Sequence, residues 1–196
     1  MLTHMNLCCS IRIQAHANRL ANRRLHAALA TLTREDFHAP RVGFFPSLAQ
    51  TLNHVLAVDA YYIGALHGDA GLAQTYDAFV PADDSAALSE RQRVSDARLI
   101  AFCDALDSVG CEAVVAMDRG NGKIQRDLAG HVLSHLFMHQ THHRGQAHAM
   151  LSGTSVAPPQ LDEFLMPSDA SWRAADMAAL GWREIDVYGA PDSGCN

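Results

Sequence analysis

The sequence predicts an all-α protein, an antiparallel four-helix bundle with a small β-hairpin before the last bundle helix and an irregular C-terminal tail. Apolar residues recur at three- and four-residue spacing in four long segments, which is the period of an amphipathic helix. Helix-starting and helix-ending residues flank several of these segments. An Asn-Gly pair between two short apolar runs indicates a two-stranded hairpin before the fourth segment.

The first two helices are predicted in the N-terminal part of the chain. One runs from Cys8 to roughly Leu32, and a connection rich in Pro and Gly follows over residues 33–46. Ser47 is a suitable N-cap for the second helix, because its hydroxyl accepts a hydrogen bond from the first turn. That helix is expected to end near Gly68, since glycine readily adopts the left-handed conformation that closes a helix.

The third and fourth helices are separated by the predicted hairpin. Residues 69–87 are mostly small or polar and are expected to form a loop, followed by a helix over about 88–109. The hairpin is predicted within residues 113–128, with the Asn-Gly pair at its turn. The fourth helix is predicted from His131 to about Ser152.

A single domain is expected to span residues 1–196, because this length suits one hydrophobic core. The core of the bundle is assigned to about residues 8–153, and residues 154–196 form the predicted tail. Within that tail only a short helix is expected, over residues 171–180.

Composition excludes several classes of function. The net charge is −6 with His neutral, so no basic face for nucleic acid is expected. No apolar run is long enough to span a bilayer, so membrane partners are not expected either. The first 18 residues are too polar for a signal peptide, which makes the cytoplasm the expected location.

Histidines are crowded into the predicted fourth helix. Residues four apart on a helix lie on one face, about 6 Å apart along the axis, so two such imidazoles can bind one metal ion. His139 and His143 have this spacing, but so do other pairs, and spacing alone does not choose among them. Six of the twelve histidines lie in this stretch: His131, His135, His139, His142, His143 and His148.

A third ligand must come from another helix. His54 is the best candidate, because it lies among apolar residues of the second helix, where a polar side chain needs a partner. A histidine that is simply hydrogen-bonded is the alternative for each of these positions. Three neutral histidines with an open position form a metal site of the catalytic type, and imidazole suits zinc, nickel, copper and iron alike.

Two stretches carry recognisable motifs: residues 139–146 are HQTHHRGQ, and residues 52–59 are LNHVLAVD. Together with residues 21–25 and 158–164 they resemble the DinB family of DNA-damage-inducible metal-binding bundles, over nearly the whole chain. The resemblance implies that His54, His139 and His143 bind one divalent transition metal per chain, with zinc or nickel expected first. Family members often carry Trp shortly after the second-helix Asp. Here Tyr61-Tyr62 occupy that region, which puts the pocket shape in question.

Four further residues are expected around the metal ligands. Arg144 is expected to pair with a carboxylate such as Asp59, with an anionic substrate group as the alternative partner. Gln146, three residues after His143, is expected to orient the second ring nitrogen of a ligand histidine. His135 is expected either as a neighbour of the ligand set or as a fourth ligand. No residue of the sequence stands out as a general base, so catalytic residues stay unassigned.

The resemblance implies a metal-dependent enzyme of the thiol S-transferase or hydrolase type, acting on a small molecule, in some relatives with a low-molecular-weight thiol. The alternative is a non-catalytic metal-binding protein, a stress-response protein or sensor, in which four protein ligands close the site. A homodimer is also expected from the resemblance.

Overall fold

The computed structural model describes residues 7–189, and the ends of the predicted single domain lie outside these described residues. The chain is mostly helical, with one small antiparallel sheet. No helix within residues 7–189 is both long and apolar enough to cross a bilayer. The elements are α1 (Leu7–Leu29), α2 (Arg34–His38), α3 (Leu48–His67), α4 (Leu72–Asp77), α5 (Ser85–Asp104), α6 (Ser108–Cys111), β1 (Val114–Asp118), β2 (Ile124–Leu128), α7 (Ala129–Leu151), α8 (Ala170–Ala179) and α9 (Glu184–Tyr188).

The four long helices, α1, α3, α5 and α7, pack side by side around a common apolar interior. Helix α1 packs mainly on α5, α3 packs on both α5 and α7, and α7 closes the ring of contacts against α1. Apolar side chains from these helices form two clusters along the interior. One includes Ile63, Leu99, Leu133 and Leu136, and the other includes Leu25, Leu48, Leu88 and Leu151.

The predicted start and end of the second helix are confirmed, as is the hairpin. Ser47 accepts a hydrogen bond from the backbone N–H of Gln50, and Gly68 closes α3 with a φ of 73°. Strands β1 and β2 pair antiparallel, from Val114 opposite Leu128 to Asp118 opposite Ile124. The turn residues Gly120, Asn121 and Gly122 all have positive φ, which explains why Gly and Asn occupy it.

Two predicted connections contain short helices, and the third long helix is shifted. Helix α2 lies in the segment predicted as a connection, and α4 lies in the predicted loop. Helix α5 begins at Ser85, three residues early, because Asp84 caps it by accepting from the N–H of Ala87. It ends at Asp104, and residues 108–111 form the separate helix α6.

Within the described part of the tail, residues 154–166 are irregular as predicted, but residues 167–188 are mostly helical, which corrects the prediction there. The expected short helix is present as α8, and α9 follows it. Phe164, Met177 and Val187 are buried against Ala17 and Leu20 on α1. Periodicity over such short segments does not reveal contacts with a helix about 150 residues earlier, so the packing of the tail on α1 does not follow from the sequence pattern.

Candidate metal centre

Three histidines from two helices meet between α3 and α7. His54 lies on α3, and His139 and His143 lie one turn apart on α7. One ring nitrogen of each lies within 4.8 Å of those of the other two. The Nε2 atoms of His54 and His139 are 3.0 Å apart, and the rings of His139 and His143 are 4.5 Å apart. The three residues singled out from the sequence therefore form one cluster.

A buried polar network fixes the two helices that carry the cluster. Asp59 on α3 is fully buried, and its carboxylate accepts hydrogen bonds from the side chains of Gln140 on α7, at 2.9 Å, and Gln92 on α5, at 2.8 Å. Gln140 follows His139 directly in the chain. These hydrogen bonds hold α3, α5 and α7 together less than two helical turns from the histidines.

The donor atoms suit a divalent transition metal. Burial lowers the pKa of His139 to about 4 and also lowers the pKa values of His54 and His143, so all three rings are neutral near pH 7. Two Nε2 atoms at 3.0 Å need a proton or a cation between their lone pairs. Neutral imidazole is also the form that binds zinc, nickel and similar ions.

Gln146 determines which nitrogen of His143 faces the cluster. The Oε1 atom of Gln146 lies 2.8 Å from Nδ1 of His143, which places the ring proton on Nδ1 and leaves the Nε2 lone pair free for a ligand. This contact agrees with the orienting role expected from the sequence. By contrast, Nδ1 of His139 is buried and makes no hydrogen bond within the part of the chain that the structure describes.

Arg144 does not pair with Asp59, so that expectation is wrong. Its guanidinium donates to the Oδ1 atoms of Asn18, at 2.5 Å, and Asn22, at 3.0 Å, both on α1. The two carboxylate oxygens of Asp59 are occupied instead by the glutamine amides of α5 and α7. Arg144 is thus part of the buried packing between α1 and α7.

His135 lies outside the cluster. Its ring is 6.3 Å from that of His139 and packs at 5.2 Å against the ring of Tyr62. Among residues 7–189, no other His, Cys, Asp or Glu joins the three histidines closely enough to share one ion with them. His135 therefore lines the surroundings of the site and does not act as a fourth ligand in this arrangement.

Two features of the surroundings were missed by the sequence reasoning. The ring of Phe45 covers the cluster, 4.5 Å from the ring of His54 and 5.7 Å from that of His143. On another side, His139 lines a cavity of about 410 Å³ between α3 and the hairpin. Phe45 lies in a non-periodic connection, and Arg119 of the cavity lies in a turn, so neither position carries a helix or strand pattern.

Comparison with known proteins agrees with this architecture. The sequence model of the DinB family matches residues 1–175. No curated protein matches the sequence. The crystal structure of a DinB-like protein from Bacillus cereus ATCC 10987 is 13% identical in sequence and superposes with a TM-score of 0.53. The match covers 71% of this chain and 89% of the other, which shows a shared fold.

Proposed function

The chain belongs to the DinB family, and from that premise we propose that it is a metal-dependent enzyme of the thiol S-transferase or hydrolase type. His54, His139 and His143 hold one divalent transition metal, zinc or nickel, with a coordination position left open. The observation that carries the proposal is the set of three imidazoles without a fourth protein ligand among residues 7–189.

The residues around the cluster have separate tasks in this proposal. A bound metal would supply a Lewis acid that lowers the pKa of a coordinated water or thiol to near neutrality. Gln146 holds His143 in the tautomer that presents Nε2. Phe45 covers one side of the histidines, and the cavity beside His139 admits a small molecule. Asp59 is a positioning residue, because its carboxylate is fully buried and hydrogen-bonded to two glutamines.

Other expectations from the sequence belong to the same proposal. We propose one domain over residues 1–196, with α1, α3, α5 and α7 as an antiparallel four-helix bundle. The substrate is a small molecule, in an S-transferase reaction together with a low-molecular-weight thiol. The protein acts in the cytoplasm as a homodimer, without a nucleic-acid or membrane partner. The acidic net charge of −6 supports the absence of a nucleic-acid partner.

Metal content tests the ligand assignment. Purified wild type is expected to contain about one transition-metal ion per chain, and His54→Ala, His139→Ala and His143→Ala are each expected to lose it. His135→Ala is the matched control, because it removes a neighbouring imidazole from outside the cluster. Circular dichroism shows whether each variant is folded. Full metal retention in a folded His54, His139 or His143 variant would contradict the assignment.

Coordination number then separates an enzyme from a non-catalytic protein. X-ray absorption or the visible spectrum of the cobalt-substituted protein reports the ligands of the ion. Three imidazoles with water or an added thiol favour the enzyme, and a turnover screen with several thiols and small electrophiles follows. Four protein ligands would instead indicate a metal sensor or a stress-response protein without catalytic activity.

A further inference from the structure

Three tyrosines line the cavity beside His139. Tyr61 and Tyr62 come from α3, and Tyr76 comes from α4. The ring of Tyr61 lies 5.3 Å from that of Tyr62 and 5.9 Å from that of Tyr76, and both contacts are edge to face, so the three rings together form the aromatic surface of the cavity. A volume of about 410 Å³ is within the range of small-molecule sites.

A single arginine from the hairpin lines this cavity. Arg119 follows directly after β1, and its backbone N–H bonds to the carbonyl of Lys123 across the turn. The guanidinium carbon lies 5.0 Å from the centre of the Tyr61 ring and 5.3 Å from that of Tyr62. It also donates to the hydroxyl of Tyr62 and to Oε1 of Gln125, each at 3.1 Å. The hairpin thus holds the guanidinium against the aromatic surface.

All these partners of Arg119 are neutral. No carboxylate of the described residues lies within 4.0 Å of its guanidinium, although many other arginines of the chain have such a partner. A guanidinium presents parallel N–H groups that match a carboxylate or a phosphate. Arg119 is exposed and makes no ion pair, so its guanidinium is available to an anionic ligand in the cavity that it lines.

Two acidic residues limit which anion fits. Asp77 and Asp118 also line the cavity, and one oxygen of Asp118 accepts a hydrogen bond from the backbone N–H of Gly120. Their negative charge opposes a phosphate, with close to two charges, more strongly than a carboxylate with one. Of the anions that a guanidinium binds, a monoanionic carboxylate is therefore the one that these two charges oppose least, and the tyrosine rings can contact an apolar body attached to it.

We propose that Arg119 binds the carboxylate of a small molecule whose body lies along Tyr61 and Tyr62 and extends toward His139. Only the last part, the approach to His139, rests on the proposed function, since it places the reacting end at the metal. Arg119 is then a specificity-determining residue supplied by the hairpin. The binding of the carboxylate itself needs no metal.

Binding of benzoate to the metal-free protein tests this inference. Its affinity is measured by ligand-observed NMR titration for wild type, Arg119→Gln and Arg126→Gln. Arg126 is an exposed arginine on strand β2 that does not line the cavity, so its variant controls for loss of one positive charge. Arg119→Gln is expected to weaken benzoate binding about tenfold or more, the scale of a hydrogen bond to a charged group, while Arg126→Gln matches wild type.

Three results would overturn the inference: no benzoate binding to wild type, equal binding to Arg119→Gln, or tighter binding of phenyl phosphate than of benzoate. Because these titrations contain no metal, they do not depend on the three histidines. Loss of benzoate binding in Arg119→Gln, together with metal retention in the histidine variants, would reject the proposed metal-dependent function and support the role of Arg119. Metal loss in the histidine variants, together with unchanged benzoate binding in Arg119→Gln, would support the metal site and reject the role of Arg119.

Discussion

The buried carboxyl of Asp59 predicts how the stability of the protein depends on pH. Burial raises its pKa to about 7, against the lowering effect of hydrogen bonds from Gln92 and Gln140. In the unfolded chain the same carboxyl ionises near its ordinary pKa of 3.8. Asp59→Asn keeps the shape and an oxygen acceptor but removes the ionisation. Gln140 can accept a hydrogen bond from the new amide N–H group, since its own Oε1 has no partner among the described residues.

The sign of the effect follows from the raised pKa in the folded state. Above pH 3.8 Asp59 is ionised in the unfolded chain but still protonated in the folded protein. A rising pH therefore favours unfolding until the folded carboxyl also ionises near pH 7. The full penalty is about 4 kcal/mol, at about 1.4 kcal/mol for each tenfold change in the protonation equilibrium. Roughly 2–3 kcal/mol of it develops between pH 5 and pH 8. The Asp59→Asn variant has no carboxyl at this position, so its free energy of unfolding does not decrease for this reason.

The assay is urea unfolding of wild type and Asp59→Asn at several pH values, followed by circular dichroism with a chelator present. The free energy of unfolding of the variant, minus that of wild type, is expected to rise by roughly 2–3 kcal/mol from pH 5 to pH 8. His26 acts in the opposite direction, because burial lowers its pKa to about 4 and costs stability as pH falls below 6.5. It is present in both proteins and cancels in the difference.

A constant offset between the two proteins would be the cost of the changed hydrogen bonds and leaves the expectation intact. A difference that stays the same across this pH range would refute the reasoning, since it would mean that Asp59 ionises alike in the folded and unfolded chains. Asp162→Asn is the control, because Asp162 is exposed. Its difference from wild type is expected to stay flat.

Three further substitutions test the site, the core and the tail. Gln146→Leu removes the acceptor of the His143 Nδ1 proton and is expected to weaken metal binding about 10- to 100-fold in a chelator competition titration. Gln146→Glu keeps an acceptor and is expected to keep most of the affinity. Equal metal affinities in the two variants would argue against the orienting role. Leu133→Ala, at a fully buried position, is expected to lower the free energy of unfolding by about 2–5 kcal/mol without changing metal content, and a smaller loss would indicate a loosely packed interior. Phe164→Ala is expected to cost about 3–5 kcal/mol, because its ring packs on α1, and an unchanged urea midpoint would show that the tail unfolds independently.

The sequence was informative where local chemistry determines structure. Ser47 and Gly68 mark the ends of α3 because a cap depends on its own side chain or backbone freedom. Helical spacing predicts that two histidines of α7 can share one face, but the choice of His139 and His143 among the possible pairs rests on the resemblance to the DinB family. The partner of Arg144 did not follow, because Asn18 and Asn22 lie more than 120 residues away, and several buried polar groups compete for each donor. The packing of Phe164 on α1 has the same long-range origin.

The hydrogen bonds of Asp59 explain how the parts of the site on α3 and α7, which are far apart in the sequence, come to lie opposite each other. His54 and Asp59 are five residues apart on α3, and His139 and Gln140 are neighbours on α7. Apolar contacts between two helices tolerate small shifts along the axis, because they are not directional. The 2.9 Å hydrogen bond from Gln140 to Asp59 does not tolerate such shifts, because its strength depends on distance and angle. This buried pair therefore sets the relative height of α3 and α7, and with it the 3.0 Å approach of His54 to His139.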